Sequence, residues 1–232
     1  MKKAAKRLAW RIAIGVFLVL AMYQLWLFAH VCWWIKFNPA TSAFMEDRLE
    51  VMQDRNPKAG LQYKWVPYGK ISDNLKRALI AAEDEKFLDH DGFDWEGIAE
   101  AYKKNLKKGK IVAGGSTISQ QLAKNLFLST KRTPWRKGEE ALITMMLEAV
   151  MDKQRIFEIY LNIIEWGNGV FGAEAAARHY FGVSAAQLGP EQAAKLAAMV
   201  PNPRYYDRHR EARGMLAKTI VILDRMPDAE IP

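Results

Sequence analysis

The chain has 232 residues, half of them hydrophobic, a single cysteine and a formal net charge of +8. That charge does not make it a nucleic-acid binder. Five of its 34 Lys and Arg lie in the first eleven residues, the other 29 stand against 26 acidic residues, and no RNA- or DNA-binding motif occurs. One cysteine excludes an internal disulfide, so the chain must hold together by its core.

Lys2, Lys3, Lys6, Arg7 and Arg11 make residues 1–11 a basic N-terminus. The next 24 residues, Ile12 to Ile35, carry no Lys, Arg, Asp or Glu. As a helix they extend about 36 Å at roughly 1.5 Å per residue, enough for a bilayer core of about 30 Å. A cleaved signal peptide would have an apolar region of only about 7 to 15 residues. Ala29, His30 and Val31 ahead of Cys32 also lack the pattern of a lipoprotein signal. Trp33 and Trp34 fall where an interfacial aromatic belt belongs. An uncleaved anchor over 12–35 is expected, with its basic side in the cytoplasm and the rest of the chain outside. Residues 36–48 read as a linker, clearest over 38–45, and 49–232 as one extracytoplasmic domain.

Within that domain, residues 49–68 support at most one short strand, and after them the signals are helical. Ser72 or Asp73 caps a helix carrying Leu75, Ala78 and Leu79 that runs to Glu83. From Gly97 to Lys110, Ile98, Tyr102 and Leu106 form an apolar stripe among Lys103, Lys104, Lys107, Lys108 and Lys110. That make-up suits a helix lying in a membrane interface, and equally one packed on its own core. In GGSTISQQLAKN (114–125), Ser116 or Thr117 caps a helix with Ile118, Leu122 and Leu126 inside and Gln121 and Lys124 on another face. Pro134 opens a helix through Leu142 and Met146, and Asp152 caps one with Ile156, Ile159, Tyr160 and Ile163 as its stripe. A short helix stops at Gly182, Ser184 and Gln187 form a capping box, Pro190 opens another helix, and 208–226 make the last. The fold class is mainly α.

The charges are unevenly distributed. The 38 residues between Glu100 and Glu139 hold ten Lys or Arg and no carboxylate. A solvated basic face would explain such a run by itself. The glycine turn, the capped helix with its positive dipole end and the flanking carboxylates point instead to a trap for an anion such as phosphate. Gly109 to Gly114 has the glycine spacing of a nucleotide-binding P-loop, but Gly115 stands where its lysine belongs. EDEKFLDHDGFD (83–94) is not a calcium loop, because aligning Gly92 to the sixth position puts Phe87 and Ile98 where oxygen ligands are required. His90 has no second His or Cys at zinc-ligand spacing and reads as a hydrogen-bonded structural histidine. In RKGEEA (136–141), Arg136 and Glu140 lie four apart, as a helix-surface ion pair would. Taken together, two carboxylate regions flank a cationic segment. Paired carboxylates serve chemistry at an anomeric carbon, and a phosphate grip adds a phosphate-bearing leaving group.

EDEKFLDHDGFD, GGSTISQQLAKN, RKGEEA, KQRIFEIYLNIIEWGNGVFG (153–172) and AAARHYFGVSAAQLGPEQAAKLAAMVPNP (175–203) resemble, in order, the five motifs of the peptidoglycan glycosyltransferases, glycosyltransferase family 51. The resemblance covers roughly residues 65–205. With the chain stopping at 232, it points to the monofunctional members rather than the bifunctional penicillin-binding proteins. It implies a lysozyme-like, two-lobed helical domain that polymerises lipid II at the bacterial plasma membrane. By that resemblance Glu83 is the general base and Glu140 the second carboxylate. Lys124, Arg132 and Arg136 hold the pyrophosphate, and Ser116 and Gln121 match phosphate- and sugar-contacting positions. Glu100 departs from the pattern, standing where relatives often carry a basic residue, which bears on membrane contact rather than chemistry. No motif demands a cofactor; Mg²⁺ or Mn²⁺ could ride on the pyrophosphate without a protein cage. The expected partners are lipid II, the growing glycan strand, the membrane, and other cell-wall synthesis or division proteins, with no nucleic acid. A lytic enzyme on a similar fold is the competing reading, and it has no use for a pyrophosphate grip.

Overall fold

The computed structural model describes all residues except 1, 111–113, 131, 132 and 134. It divides into two compact units, Met1–Asn38 and Pro39–Pro232. The first is one helix, α1 (Lys2–Trp34), whose stretch Ala5–Trp34 is long and apolar enough to cross a membrane. Trp33 stacks on Phe37 just beyond its end, with ring centroids 3.9 Å apart.

The second unit begins differently from the expected linker. Ser42 caps α2 (Ala43–Gln53) by accepting from the Met45 amide, and Met45 and Arg48 are buried. β1 is two residues long, Gln62–Tyr63. Ser72 then caps α3 (Asp73–Glu83), which buries Leu75, Ala78, Leu79 and Ile80. Each fully buried aliphatic side chain contributes about 1.5–3 kcal/mol, and truncating Leu79 to alanine would cost about 2–5 kcal/mol.

α4 (Trp95–Lys108) starts two residues earlier than the sequence pattern suggested, because Asp94 caps it by accepting from Gly97, and it ends at Gly109. Its stripe also differs. Ile98 is half-buried, its Cα 3.0 Å from where a Cβ on Gly115 would stand, so it belongs to the packed face with Ala101. The outward apolar residues are Trp95, Tyr102 and Leu106, each about 70% exposed (71%, 68% and 70%).

α5 (Ile118–Phe127) packs on α6 (Arg136–Val150) and α7 (Lys153–Ile163). Asp152 caps α7, accepting from the Arg155 amide at 2.7 Å. A hairpin follows where no strand was expected, β2 (Glu165–Gly167) and β3 (Val170–Phe171), turning at Asn168-Gly169 with Gly169 at φ +76°. Asn-Gly between apolar residues is the strongest short-range hairpin signal. β3 is central, antiparallel to β2 and parallel to β1 in the register Gln62↔Val170 and Tyr63↔Phe171. α8 (Ala173–Phe181) stops at left-handed Gly182, and Ser184 and Gln187 form their box around a single 3₁₀ turn. α9 (Pro190–Met199) packs against both α3 and the C-terminal helix. The last helix, expected over 208–226, is α11 (Arg213–Arg225), and ahead of it stands a short helix that was not expected, α10 (Pro203–Arg208), opened by its proline. Trp166, Tyr160, Phe87, Phe157 and Phe171 are the largest fully buried side chains.

Candidate active site

α3 delivers two adjacent carboxylates and turns them apart. Its hydrogen bonding ends at Asp84, whose φ of −164° breaks the helical path. Asp84 turns inward, where Oδ1 meets His90 Nε2 at 2.9 Å and Oδ2 accepts from the Ile118 amide at 2.9 Å. His90 Nδ1 accepts from the Gly92 amide, so Nε2 carries the hydrogen donated to Asp84. Glycine is required at 92: its φ is +86°, and a Cβ there would stand 2.7 Å from Thr144 Cγ2. Glu83 points the other way, with its side chain 11% exposed.

The start of α5 is built against this turn. Thr117 and Gln120 form a capping box, and the Thr117 hydroxyl donates to the Gly92 carbonyl at 2.7 Å. The Ile118 amide goes to Asp84 and the Gln120 amide to Thr117. The helix N-terminus, expected to receive phosphate, is thus occupied by the protein's own carboxylate and cap. It fixes the spacing of α3 and α5 instead.

Glu83 has a partner on each oxygen. Gln121 Nε2 donates to Oε2 at 2.9 Å, and Lys218 Nζ of α11 lies 3.3 Å from Oε1. Tyr160 in turn donates to Gln121 Oε1 at 3.0 Å, which fixes the amide with its NH₂ toward Glu83. Burial, with Glu83 and Asp84 nearby, pushes the Tyr160 hydroxyl far above its ordinary pKa, so it stays a donor.

One cavity opens on this carboxylate and a second on Gln121, its hydrogen-bond partner. The first, of about 430 Å³, is walled by Glu83, the glycines Gly114 and Gly115, Ser116 and further carboxylates including Glu85, Glu96 and Glu100. The other, of about 330 Å³, holds Gln121, Lys124, Arg136, Arg48 and Arg204, with Glu165 as its one carboxylate. Arg48 pairs with Glu165 at 2.8 Å. Burial pulls the Lys124 ammonium below its ordinary pKa of 10.5, and Arg136 and Lys137 add to that while Glu140 and Glu83 oppose it.

Of the residues expected at the site, Glu83 and Gln121 are in contact, Lys124 and Arg136 share the cationic cavity, and Ser116 lies on the wall beside Glu83. Glu140 is 4% exposed, lines neither cavity and is paired with Lys137, whose Nζ is also 3.5 Å from Ser116 Oγ. Arg132 lies outside the described residues. The sequence pattern did not single out Lys218, Arg48 or Arg204, and it read Tyr160 only as core. Among the described residues no group of three or more His, Cys, Asp or Glu is placed to share a metal ion.

A paired carboxylate on one cavity, joined through Gln121 to a cationic one, is thus held on a helical frame with a three-stranded sheet. Residues 50–227 match the transglycosylase family model, and the chain belongs to that family, with its lysozyme-like helical fold. It is 64% identical over 227 residues to the biosynthetic peptidoglycan transglycosylase of Methylobacillus flagellatus, covering 98% of this chain and 99% of that protein. It is 66% identical over 221 residues to that of Laribacter hongkongensis, covering 94% and 97%. The protein of the same name from Chromobacterium violaceum is 62% identical over 226 residues, covering 97% and 99%.

Proposed function

We propose that this protein polymerises lipid II into peptidoglycan glycan strands. One observation carries the reading above the rest: Glu83, engaged at both oxygens, lines a glycine-walled cavity, and Gln121, bonded to it, lines a cationic one. The acceptor's GlcNAc 4-hydroxyl attacks the anomeric carbon of the donor strand. The new carbon–oxygen bond forms as the bond to the pyrophosphate oxygen breaks, and undecaprenyl pyrophosphate leaves with the bonding pair. Attack from the face opposite the leaving group inverts the anomeric centre. Glu83 takes the hydroxyl proton on Oε1, the oxygen with the longer contact, while Gln121 and Lys218 keep the carboxylate in place.

Lys124 and Arg136, with Arg132 as the family motif implies, neutralise the pyrophosphate as charge develops on it. Ser116 contacts substrate beside Glu83. Glu140 acts by pairing with Lys137 and by opposing the fall in the Lys124 pKa. A divalent ion in the reaction arrives on the pyrophosphate, since Mg²⁺ needs few protein ligands there. A hydrolase cutting finished glycan would gain nothing from the cationic cavity. Incubating the full chain with lipid II and, separately, with finished glycan tests the reading: strands lengthen in the first and stay intact in the second. Shortened glycan would overturn it.

The same proposal fixes the setting. Residues 1–11 lie in the cytoplasm, 12–35 anchor the chain in the inner membrane, and the catalytic domain stands outside. Trp95, Tyr102 and Leu106 of α4 enter the interface, with the α4 lysines at anionic headgroups. Other cell-wall synthesis or division proteins are the remaining partners.

A further inference from the structure

A cavity of about 960 Å³ is separate from the Glu83 wall. It shares Arg48, Asn202 and Arg204 with the cationic cavity, so the two adjoin. Beyond those residues it is walled by Arg55, Arg208 and Tyr205. Arg48 and Arg204 face Glu165, at 2.8 and 3.8 Å. Arg55 and Arg208 have no carboxylate within ion-pair distance among the described residues; Arg208 Nε donates only to the Arg204 carbonyl. The one carboxylate in the wall, Asp207, is consumed by Tyr180 at 3.0 Å, the Asn168 amide at 3.1 Å, His179 at 3.3 Å and Arg210 at 3.4 Å. Guanidinium groups without a carboxylate partner, asparagine amides and an exposed tyrosine ring, stacked on His209 on one side, together suit a sugar chain that also bears carboxylates.

We propose that this groove holds the polymerised strand, with Arg55 and Arg208 taking carboxylates of its stem peptides and Tyr205 stacking on a sugar face. The inference rests on the polymerase reading and adds a second foothold to it. A strand held one cavity away from the reacting end is rebound at high effective concentration after each addition, so chains grow long before they are released.

The test is Arg55→Gln/Arg208→Gln in the full-length protein, read in two arms. In the first, lipid II with intact stems is polymerised and both initial consumption and strand length are measured. Consumption should stay within about twofold of wild type, which also reports folding, while strands shorten severalfold. Lipid II with amidated stem carboxylates should give short strands with both proteins. In the second arm, a purified uncrosslinked glycan fragment should bind the variant about tenfold more weakly than wild type when its stems are free, and equally when they are amidated. Unchanged strand length and unchanged fragment affinity overturn the proposal. So does a variant that loses affinity for anionic-lipid vesicles while keeping the fragment, which would make the groove a headgroup site. If wild type fails to consume lipid II, the polymerase reading falls, and the binding arm still decides the groove.

Discussion

The two cavities joined by the Glu83–Gln121 pair are built from opposite charges, and they draw on the sequence in opposite ways. The anionic one is largely local, with Glu83, Glu85, Glu96 and Glu100 coming from one stretch of chain. The cationic one is assembled from afar: Arg48 from α2, Lys124 from α5, Arg136 from α6 and Arg204 from α10. The dense basic run contributes only part of it. Lys103, Lys104, Lys107 and Lys108, on α4, line neither cavity. Local charge density in a sequence marks where charge is available, and the fold decides which of it faces substrate.

The largest effect is expected at the carboxylate itself. Glu83→Gln should lower turnover about 10²- to 10⁴-fold, because the amide keeps the shape and the Gln121 contact yet cannot take a proton. Circular dichroism should show an intact fold. Near wild-type turnover would remove Glu83 from the base role.

Next in size is the cationic wall. Lys124→Ala should cost about 10²- to 10³-fold in turnover, the scale of losing one preorganised charge partner. A pH profile sharpens this. A lysine is charged below its pKa, and burial sets that of Lys124 below the ordinary 10.5, so its charge is lost earlier as pH rises. kcat/KM, which reports the free enzyme, should fall on the alkaline side, and Lys124→Arg should move that fall to higher pH. If the arginine variant keeps the same alkaline limb, another group sets it.

These two residues were readable before the fold was known, because α3 and α5 announce their caps and their buried stripes locally. Arg48, Arg204 and Lys218 were not. A lysine on an amphipathic C-terminal helix reads as surface, and only the packing of α11 against α9 and α3 carries Lys218 to Glu83. The hairpin at Asn168-Gly169 had a local signal that a reading of the chain after residue 68 as helical passed over. α2 was hidden for another reason. Its inward face includes Arg48, an arginine buried by its pairing with Glu165, which lies 117 positions away in the chain. Tyr160 fell on the right stripe, but the stripe says nothing of where its hydroxyl ends.

That hydroxyl gives a smaller effect. Tyr160→Phe leaves the ring packed and removes the donor that fixes the Gln121 amide. A hydrogen bond of this kind contributes about 0.5–1.5 kcal/mol, so turnover should drop roughly three- to tenfold with little change in KM. An equal loss in a Gln121→Ala background would show that the tyrosine acts by another route.

The smallest expected effect on turnover tests the division within the basic run itself. Changing Lys103, Lys104, Lys107 and Lys108 to glutamine removes four charges, as many as line the cationic cavity. These side chains are exposed on α4 and face solvent-screened surroundings, so in detergent, where no anionic surface is present, turnover should stay within about twofold. On vesicles rich in anionic lipid the outcome should differ. Each lysine near such a surface contributes about 1 kcal/mol, and the chain lacking residues 1–36 should lose most of its salt-sensitive vesicle binding. If turnover in detergent collapses instead, the α4 lysines belong to the substrate field and the separation of site cations from surface cations is wrong. If the salt-sensitive vesicle binding survives, the α4 lysines are not what meets the anionic headgroups, and another basic surface of the domain must carry that attraction.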